Sequence, residues 1–117
     1  MAQTVLIVDD HPSFRSTARI LLESEGFDVI GEAEDGASAI EAIQRLAPEV
    51  VLLDVQLPDM DGFAVARTIM ADGVKSAIVL TSSRDGCDFG SLIAESGARG
   101  FVPKGELSGA AISELLR

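Results

Sequence analysis

The sequence predicts a single α/β domain over residues 1–117, in which a doubly wound, five-stranded parallel sheet is covered by five helices. Two observations support this prediction. Short apolar runs alternate along the whole chain with segments whose apolar residues recur every three to four positions. The third run, Val50–Leu53, is uninterrupted and rich in β-branched residues, which is typical of a strand buried on both faces.

The elements follow one another in regular order. Five apolar runs predict the strands, at Val5–Val8, Phe27–Ala33, Val50–Asp54, Ala77–Leu80 and Phe101–Val102. Helical spacing of apolar residues predicts the helices, around Phe14–Leu22, Ile40–Ala47, Phe63–Met70, Leu92–Ile93 and Ala111–Leu116. Pro12 suits the first turn of a helix, while Gly26 and Pro48 are ordinary helix stops. The fourth helix has few strong helix formers, so we expect it to be the least stable element.

Composition restricts the classes of partner. With 19 acidic and 9 basic residues, the chain has a formal net charge of −10, and no basic patch is visible. We therefore expect no direct binding to nucleic acid and no membrane association. No apolar run approaches the length of a membrane span. The lone Cys87 is expected to have no chemical role, as a spectator thiol. A single cysteine cannot form an internal disulfide, which agrees with a reducing compartment and favours a cytoplasmic protein.

Charged and hydroxyl side chains follow four of the predicted strands. Asp9 and Asp10 follow the first strand, Asp54 the third, Ser82 the fourth and Lys104 the last. Ligands of such sheets bind beyond the carboxyl ends of the strands, so we expect these side chains to converge. Three carboxylates in a small volume favour a bound cation, and oxygen ligands open to water favour Mg²⁺.

This set of residues suits phosphoryl chemistry. Lys104 offers a positive charge and Ser82 a hydroxyl donor to phosphoryl oxygens, and a carboxylate can attack phosphorus to form an aspartyl phosphate. Taken singly, each residue has a structural explanation. Asp9 and Asp10 can cap a helix, Asp54 and Ser82 can be turn residues, and Lys104 can be a solvated lysine. Their joint placement at the strand ends favours the functional interpretation.

Three segments resemble the motifs of response regulator receiver domains, in the order found in that family. They are Val8-Asp9-Asp10-His11-Pro12, Leu53–Gly62 and Gly97-Ala98-Arg99-Gly100-Phe101. The whole chain is similar to this two-component signalling family, and the first motif is similar to the NarL/FixJ-type subfamily, which often carries a helix-turn-helix output domain. The resemblance implies the strand order 2-1-3-4-5 of the chemotaxis receiver.

The resemblance also implies a role for each acidic residue. Asp54 corresponds to the phosphoacceptor. Asp10 corresponds to a direct metal ligand, and Asp9 to a residue that acts on the metal largely through water. Gln56 would offer its backbone carbonyl to the metal, which leaves its side chain free to tune the lifetime of the phosphoryl group.

The remaining roles concern the response to phosphorylation. Ser82 corresponds to the switch hydroxyl, with Thr81 as the weaker alternative because one residue changes the side of the strand. Phe101 corresponds to the switch aromatic, although such a residue is more often simply part of the core. Lys104 corresponds to the lysine that contacts the phosphate.

The chain departs from the family pattern around Lys104. The family usually places a proline after this lysine, often with a cis peptide bond, whereas here Pro103 precedes Lys104 and Gly105 follows it. This order puts the cis bond in question and predicts a looser last loop. The short fifth helix, Ala111–Leu116, predicts a reduced output surface.

The leading functional hypothesis is a phosphorylation switch that takes a phosphoryl group from a histidine kinase or a phosphotransfer protein. It would act on an output domain or a downstream protein, and its partners can include a second copy in a phosphorylation-dependent homodimer. Under this hypothesis the chain is not an enzyme, except toward its own phosphorylation and dephosphorylation. The alternatives are a small Mg²⁺-dependent phosphohydrolase, a pseudo-receiver that is never phosphorylated and, more distantly, a flavin-binding protein.

Overall fold

The structure is a computed structural model that describes residues 2–83 and 89–116. Within these ranges, five parallel strands form one sheet in the order 2-1-3-4-5, which confirms the predicted fold. The strands are β1 (Thr4–Val8), β2 (Asp28–Ala33), β3 (Val50–Asp54), β4 (Ala77–Ser82) and β5 (Gly100–Pro103). Cys87 lies outside the described residues, so its spectator role stays a prediction.

Five helices in the same ranges join the strands and cover both faces of the sheet. They are α1 (Pro12–Ser24), α2 (Gly36–Leu46), α3 (Gly62–Ala71), α4 (Leu92–Glu95) and α5 (Gly109–Leu115). A 3-10 turn at Lys104–Glu106 lies between β5 and α5. In the described part of the chain, no helix is both long enough and apolar enough to cross a membrane.

Each face of the sheet packs against its own hydrophobic core. The core on the side of α2 and α3 includes Leu6 and Leu53, and the core on the side of α1 and α5 includes Ile7 and Leu52. Neighbouring residues of a strand therefore enter opposite cores. Because both faces are covered, all five residues of β3 are buried, which explains why this strand is a continuous apolar run in the sequence.

Three residues that the sequence predicts inside an element lie just outside it. Phe27 precedes β2 because its backbone N–H donates to the Leu22 carbonyl at the end of α1. Ala47 has a left-handed backbone with φ 47°, so it caps α2 instead of extending it. Leu116 likewise caps α5, with its N–H donating to the carbonyl oxygens of Ile112 and Ser113.

The fourth helix is as short as the sequence predicts. α4 has four residues, none of which is buried, and the hydroxyl of its N-cap residue Ser91 makes no capping hydrogen bond. By contrast, α3 has ten residues, of which five are buried, and the side chain of its N-cap Asp61 accepts from the N–H of Ala64. Burial and capping stabilise a helix, so this contrast supports the prediction that α4 is the least stable helix.

Candidate functional site

The carboxyl ends of four parallel strands place the candidate site residues at one edge of the sheet. Asp9 directly follows β1, Asp54 ends β3 and Ser82 ends β4. Lys104 follows β5 and begins the 3-10 turn. Because β1 pairs directly with β3, Asp9 and Asp54 come from neighbouring strands. The fold therefore brings together the residues that sequence analysis placed at separate strand ends.

Four side chains form a compact cluster of potential metal ligands: Asp9, Asp10, His11 and Asp54. One ligand atom from each residue lies within 4.8 Å of the others. Asp9 is completely buried and Asp54 is 3% exposed, whereas Asp10 and His11 are exposed. The cluster therefore combines two buried carboxylates with two groups that face solvent.

The loop after β1 holds Asp9 by both its backbone and its side chain. The Asp9 N–H donates to the carbonyl of Ala33 at 3.0 Å, and Asp9 Oδ1 accepts from the His11 N–H at 2.8 Å. His11 Nδ1 also lies 3.0 Å from Asp9 Oδ1 and 3.0 Å from Asp10 Oδ1. Ionised carboxylates only accept, so Nδ1 carries the hydrogen in this arrangement. His11 is not among the ligands predicted from the sequence, although its place directly after two aspartates is an available signal.

Lys104 joins the two buried carboxylates. Its Nζ lies 2.7 Å from Asp9 Oδ2 and 3.4 Å from Asp54 Oδ2, and 4.5 Å from the centre of the Phe14 ring. Burial alone would lower the pKa of Lys104, but the close contact with the carboxylate of Asp9 and the charge of Asp54 outweigh it and raise that pKa. The ammonium group therefore stays charged at neutral pH and is available to an anion at this site.

Asp54 is held in an environment that disfavours its charge. Burial, followed by the charge of Asp9, raises the pKa of Asp54 to about 6, against the opposing effects of the Gln56 N–H and Lys104. The Gln56 N–H donates to Asp54 Oδ1 at 3.2 Å. Asp54 is consequently ionised at pH 7 to 8, but at a cost that an additional cation would relieve.

The second oxygen of Asp9 supports a cation site. Asp9 Oδ2 is buried and, among the described residues, accepts no well-directed hydrogen bond; its contact with Lys104 is an ion pair. A buried carboxylate oxygen without a hydrogen bond is costly, and the single positive charge of Lys104 is shared between the carboxylates of Asp9 and Asp54. Since the neighbouring ligands of Asp10 and Asp54 are also carboxylate oxygens, the donor set fits Mg²⁺, a hard cation.

The two candidate switch hydroxyls differ in their surroundings. Both Thr81 and Ser82 are buried. Thr81 Oγ1 donates to the carbonyl oxygen of Val102 in β5 at 2.7 Å, so this hydroxyl already links the two strands. Ser82 is the last residue of β4, opposite Pro103 and one position beyond the pair formed by Asp54 and Thr81. The choice between Ser82 and Thr81 as the switch hydroxyl stays a prediction.

Phe101 belongs to a row of three aromatic rings. Its ring centre lies 5.6 Å from that of Phe89, and the Phe89 ring lies 5.5 Å from that of Phe63 in α3. Phe101 is only partly buried, whereas Phe63 is 4% exposed. This row could not be predicted from the sequence, because Phe89 lies in a segment with the composition of a polar loop.

Two features of the loops bear on the sequence predictions. Every peptide bond in the described ranges is trans, so the Pro103-Lys104-Gly105 order does not produce the cis bond that is usual in the family. Asp59 accepts from the N–H groups of Gly36 and Ala37 at 2.7 Å and 2.9 Å. These hydrogen bonds lower the pKa of Asp59 and connect the loop after β3 to the start of α2. The sequence carries no signal for this contact, because an aspartate is an ordinary residue in a turn.

Comparison with known proteins gives a consistent set of relatives. A family model described as the response regulator receiver domain matches residues 5–115. A putative transcriptional regulator of Pseudomonas aeruginosa is 35% identical over 112 residues, which are 96% of this chain and 52% of that protein. The DNA-binding response regulator MtrA of Mycolicibacterium smegmatis is 43% identical over 106 residues, which are 89% of this chain and 45% of that protein. The chain thus spans about half the length of these relatives.

Solved structures agree with the sequence relatives. The signal receiver domain of the putative response regulator NarL from Mycobacterium tuberculosis has a TM-score of 0.86 at 34% identity, with 98% of this chain and 97% of that chain covered. A chain of the CheX-CheY-BeF3-Mg+2 complex from Borrelia burgdorferi has a TM-score of 0.85 at 27% identity, with 97% of this chain and 86% of that chain covered. Both likenesses extend over nearly the whole of the present chain.

Proposed function

We propose that Asp54 is a phosphoacceptor for a histidine kinase or phosphotransfer protein. The chain belongs to the family of response regulator receiver domains of two-component systems, and this membership is the premise of the proposal. The observation that carries this proposal is the contact of Lys104 Nζ with both Asp9 and Asp54, at 2.7 Å and 3.4 Å, beside the acidic cluster. A buried nucleophile, a cation and metal-binding carboxylates are the parts that phosphoryl transfer needs.

In the proposed reaction, an oxygen of the ionised Asp54 carboxylate attacks the phosphorus of a phosphohistidine. The new P–O bond makes an aspartyl phosphate as the P–N bond breaks, and the electron pair stays on the imidazole nitrogen, which takes up a proton. With a pKa of about 6, Asp54 is mostly ionised at pH 7.5 and so is able to attack. Lys104 lies against Asp54 and would stabilise the negative charge that develops on the phosphoryl oxygens.

The residues that would hold Mg²⁺ are Asp9, Asp10 and Asp54, together with the backbone carbonyl of Gln56. When bound, the ion would neutralise the carboxylates and polarise the phosphoryl oxygens. The acidic cluster supports this assignment, and so does Asp9 Oδ2, which is buried and accepts no well-directed hydrogen bond among the described residues. The exposed His11 adjoins two of these ligands, and its imidazole N–H would have to give way if both carboxylates turned toward a metal.

We further propose that the response passes through the end of β4 to β5. The Ser82 hydroxyl would donate to the new phosphoryl group, and Phe101 would change its packing against Phe89 in consequence. The surface formed by α4, β5 and α5 would then act on an output domain or downstream protein, or form a homodimer. In this proposal the domain works in the cytoplasm and catalyses only its own phosphorylation and dephosphorylation.

Intact mass spectrometry after incubation with acetyl phosphate and Mg²⁺ tests the proposal. The wild type should gain the mass of one phosphoryl group, and Asp54→Asn should gain none. Asp61→Asn is the matched control, because Asp61 lies in the same loop but caps α3; it should be modified like the wild type. Lys104→Ala should slow modification by about a hundredfold.

Two further results would each favour a named alternative. Wild type that is never modified, even by a phosphorylated kinase, would contradict the proposal and favour a pseudo-receiver. Multiple turnover of a small phosphomonoester through Asp54 would favour a phosphohydrolase instead.

A further inference from the structure

Arg15, in the first turn of α1, connects the loop of candidate metal ligands to β2. Its Nη1 donates to the backbone carbonyl oxygen of Asp9 at 2.5 Å, and its Nε donates to Glu32 Oε1 at 2.9 Å. The Arg15 side chain is only 15% exposed, so water competes weakly for these contacts. One guanidinium group thus holds acceptors on two separate elements.

The position of Arg15 is itself fixed by a second arginine on the other side of Glu32. Arg19 Nε donates to Glu32 Oε2 at 2.8 Å, so each carboxylate oxygen of Glu32 has its own arginine. Burial raises the pKa of Glu32, but the hydrogen bonds and charges of Arg19 and Arg15 outweigh it and keep that pKa below its usual value. Glu32 therefore stays ionised and can hold both guanidinium groups.

We propose that Arg15 is a positioning residue for the site, which fixes the Asp9-Asp10-His11 loop through the carbonyl of Asp9. Three groups of Asp9 are held at once: its N–H by Ala33, its carbonyl by Arg15 and its carboxylate by His11. The direction of the Asp9 and Asp10 side chains depends on this backbone. Removal of the contact between Arg15 and the Asp9 carbonyl oxygen would therefore make the positions of the two carboxylates less fixed without changing either side chain.

A purely structural role would make Arg15 one half of an ordinary ion pair between α1 and β2. Arg19 offers a matched control for that role. It lies one turn further along the same helix and pairs with the same Glu32 at nearly the same distance. Its other contacts, however, are the carbonyl of Val29 in β2 at 3.2 Å and Glu23 Oε2 in α1 at 3.6 Å. A comparison of the two arginines therefore tests the contact of Arg15 with Asp9 while the ion pair with Glu32 is common to both.

Amide hydrogen exchange of the metal-free protein, followed by NMR, tests the proposal. The amides of Asp9 and His11 report on the loop, because both donate hydrogen bonds there. Arg15→Gln and Arg15→Lys should raise their exchange rates about tenfold relative to the amides of β3, since a hydrogen bond from a charged group is lost. Arg15→Lys should behave like Arg15→Gln, because one ammonium group cannot donate to both acceptors in the geometry of the planar guanidinium group. Arg19→Gln should leave the same two rates within about twofold.

Two results would overturn the proposal: wild-type exchange in Arg15→Lys, or an equal increase in Arg19→Gln. A Mg²⁺ titration of the same proteins then links the loop to the proposed function, on which this part of the inference rests. Arg15→Lys should bind Mg²⁺ about tenfold more weakly than wild type and Arg19→Gln should bind it normally. A wild type that binds no Mg²⁺ would contradict the proposed function, while the exchange rates would still decide the role of Arg15.

Discussion

The two halves of the sheet differ in how firmly their loops and helices are held. On the side of β1 and β3, Asp9 and Asp54 are buried, and side chains cap the starts of both α2 and α3. On the side of β4 and β5, α4 has no buried residue and no side-chain cap, and Phe101 is only partly buried. The aspartates of the candidate reaction therefore lie on well-packed elements, whereas the candidate response surface includes one element, α4, that can rearrange at low cost.

This difference suits a domain that must do two things. Phosphoryl transfer needs groups whose positions do not change, because misplaced ligands lose most of their effect. A response to phosphorylation needs an element with two arrangements of similar free energy, so that a local change of charge can shift the balance. The following predictions test the contrast, from the largest expected effect to the smallest.

Ile69→Ala should have the largest effect on stability. Ile69 lies in α3 and is completely buried in the core beside the sheet. Its truncation should lower the free energy of unfolding by about 3 kcal/mol, because apolar burial is lost and a cavity is left. Urea unfolding monitored by circular dichroism measures this change. A loss below about 1 kcal/mol would show that α3 is not as firmly packed as proposed.

Asp54→Asn should stabilise the metal-free protein at neutral pH. The folded-state pKa of Asp54 is raised to about 6 from a usual value of 3.8. The contribution of Asp54 to the free energy of unfolding is therefore fully present below pH 3.8 and is lost as the pH rises through 6, where the carboxyl ionises in the folded protein. Asparagine does not titrate. The variant should therefore unfold with a free energy higher by on the order of 2 kcal/mol at pH 7.5 in EDTA.

The pH dependence of that difference is its internal control. The free energy of unfolding of Asp54→Asn should exceed that of wild type by less and less as the pH falls through 6, and the difference should level off near pH 4. Saturating Mg²⁺ should reduce the same difference at pH 7.5. A gain that is constant from pH 4 to pH 8 would mean that the charge of Asp54 is not its cause.

Two serines at the N-cap positions of α4 and α5 provide a matched pair of substitutions in the half of the sheet that contains β4 and β5. Ser108 Oγ accepts from the Ala111 N–H at 3.0 Å at the start of α5, whereas Ser91 makes no such bond at the start of α4. Ser108→Ala should cost about 1 kcal/mol in thermal or urea unfolding, and Ser91→Ala much less. Equal losses would show that α4 is capped as firmly as α5.

Leu92→Ala should have the smallest effect. Leu92 opens α4 and is 43% exposed, so its truncation should change the free energy of unfolding by less than about 0.5 kcal/mol. It should nevertheless alter the response surface, if that surface includes α4. A large loss of stability would place α4 among the well-packed elements and remove the contrast between the two halves.

The sequence predicted what depends on local pattern and strand order. Strands with a continuous apolar run, such as β3, could be recognised because both faces of the sheet are buried. The meeting of Asp9, Asp54 and Lys104 could be predicted because parallel strands end at one edge of the sheet. None of this required knowledge of side-chain geometry.

The contacts that could not be predicted from the sequence are made by long or turn-borne side chains that cross from one element to another. Asp59 crosses from the loop after β3 to the start of α2, and Arg15 holds Glu32 together with the Asp9 carbonyl. An aspartate in a turn or an arginine on a helix is ordinary by itself, so its residue type carries no signal. Such contacts depend on distances that only the folded chain defines.

The central claim is that modification of Asp54 is reported by the half of the sheet that contains β4 and β5. NMR spectra recorded before and after addition of beryllofluoride and Mg²⁺ test it most directly. We predict chemical-shift changes at Ser82 and Phe101 and through α4, with little change in β2 and α2, and none of these changes in Asp54→Asn. Changes confined to the loops that carry Asp9, Asp10 and Asp54, with Ser82 and Phe101 unaffected, would contradict the claim.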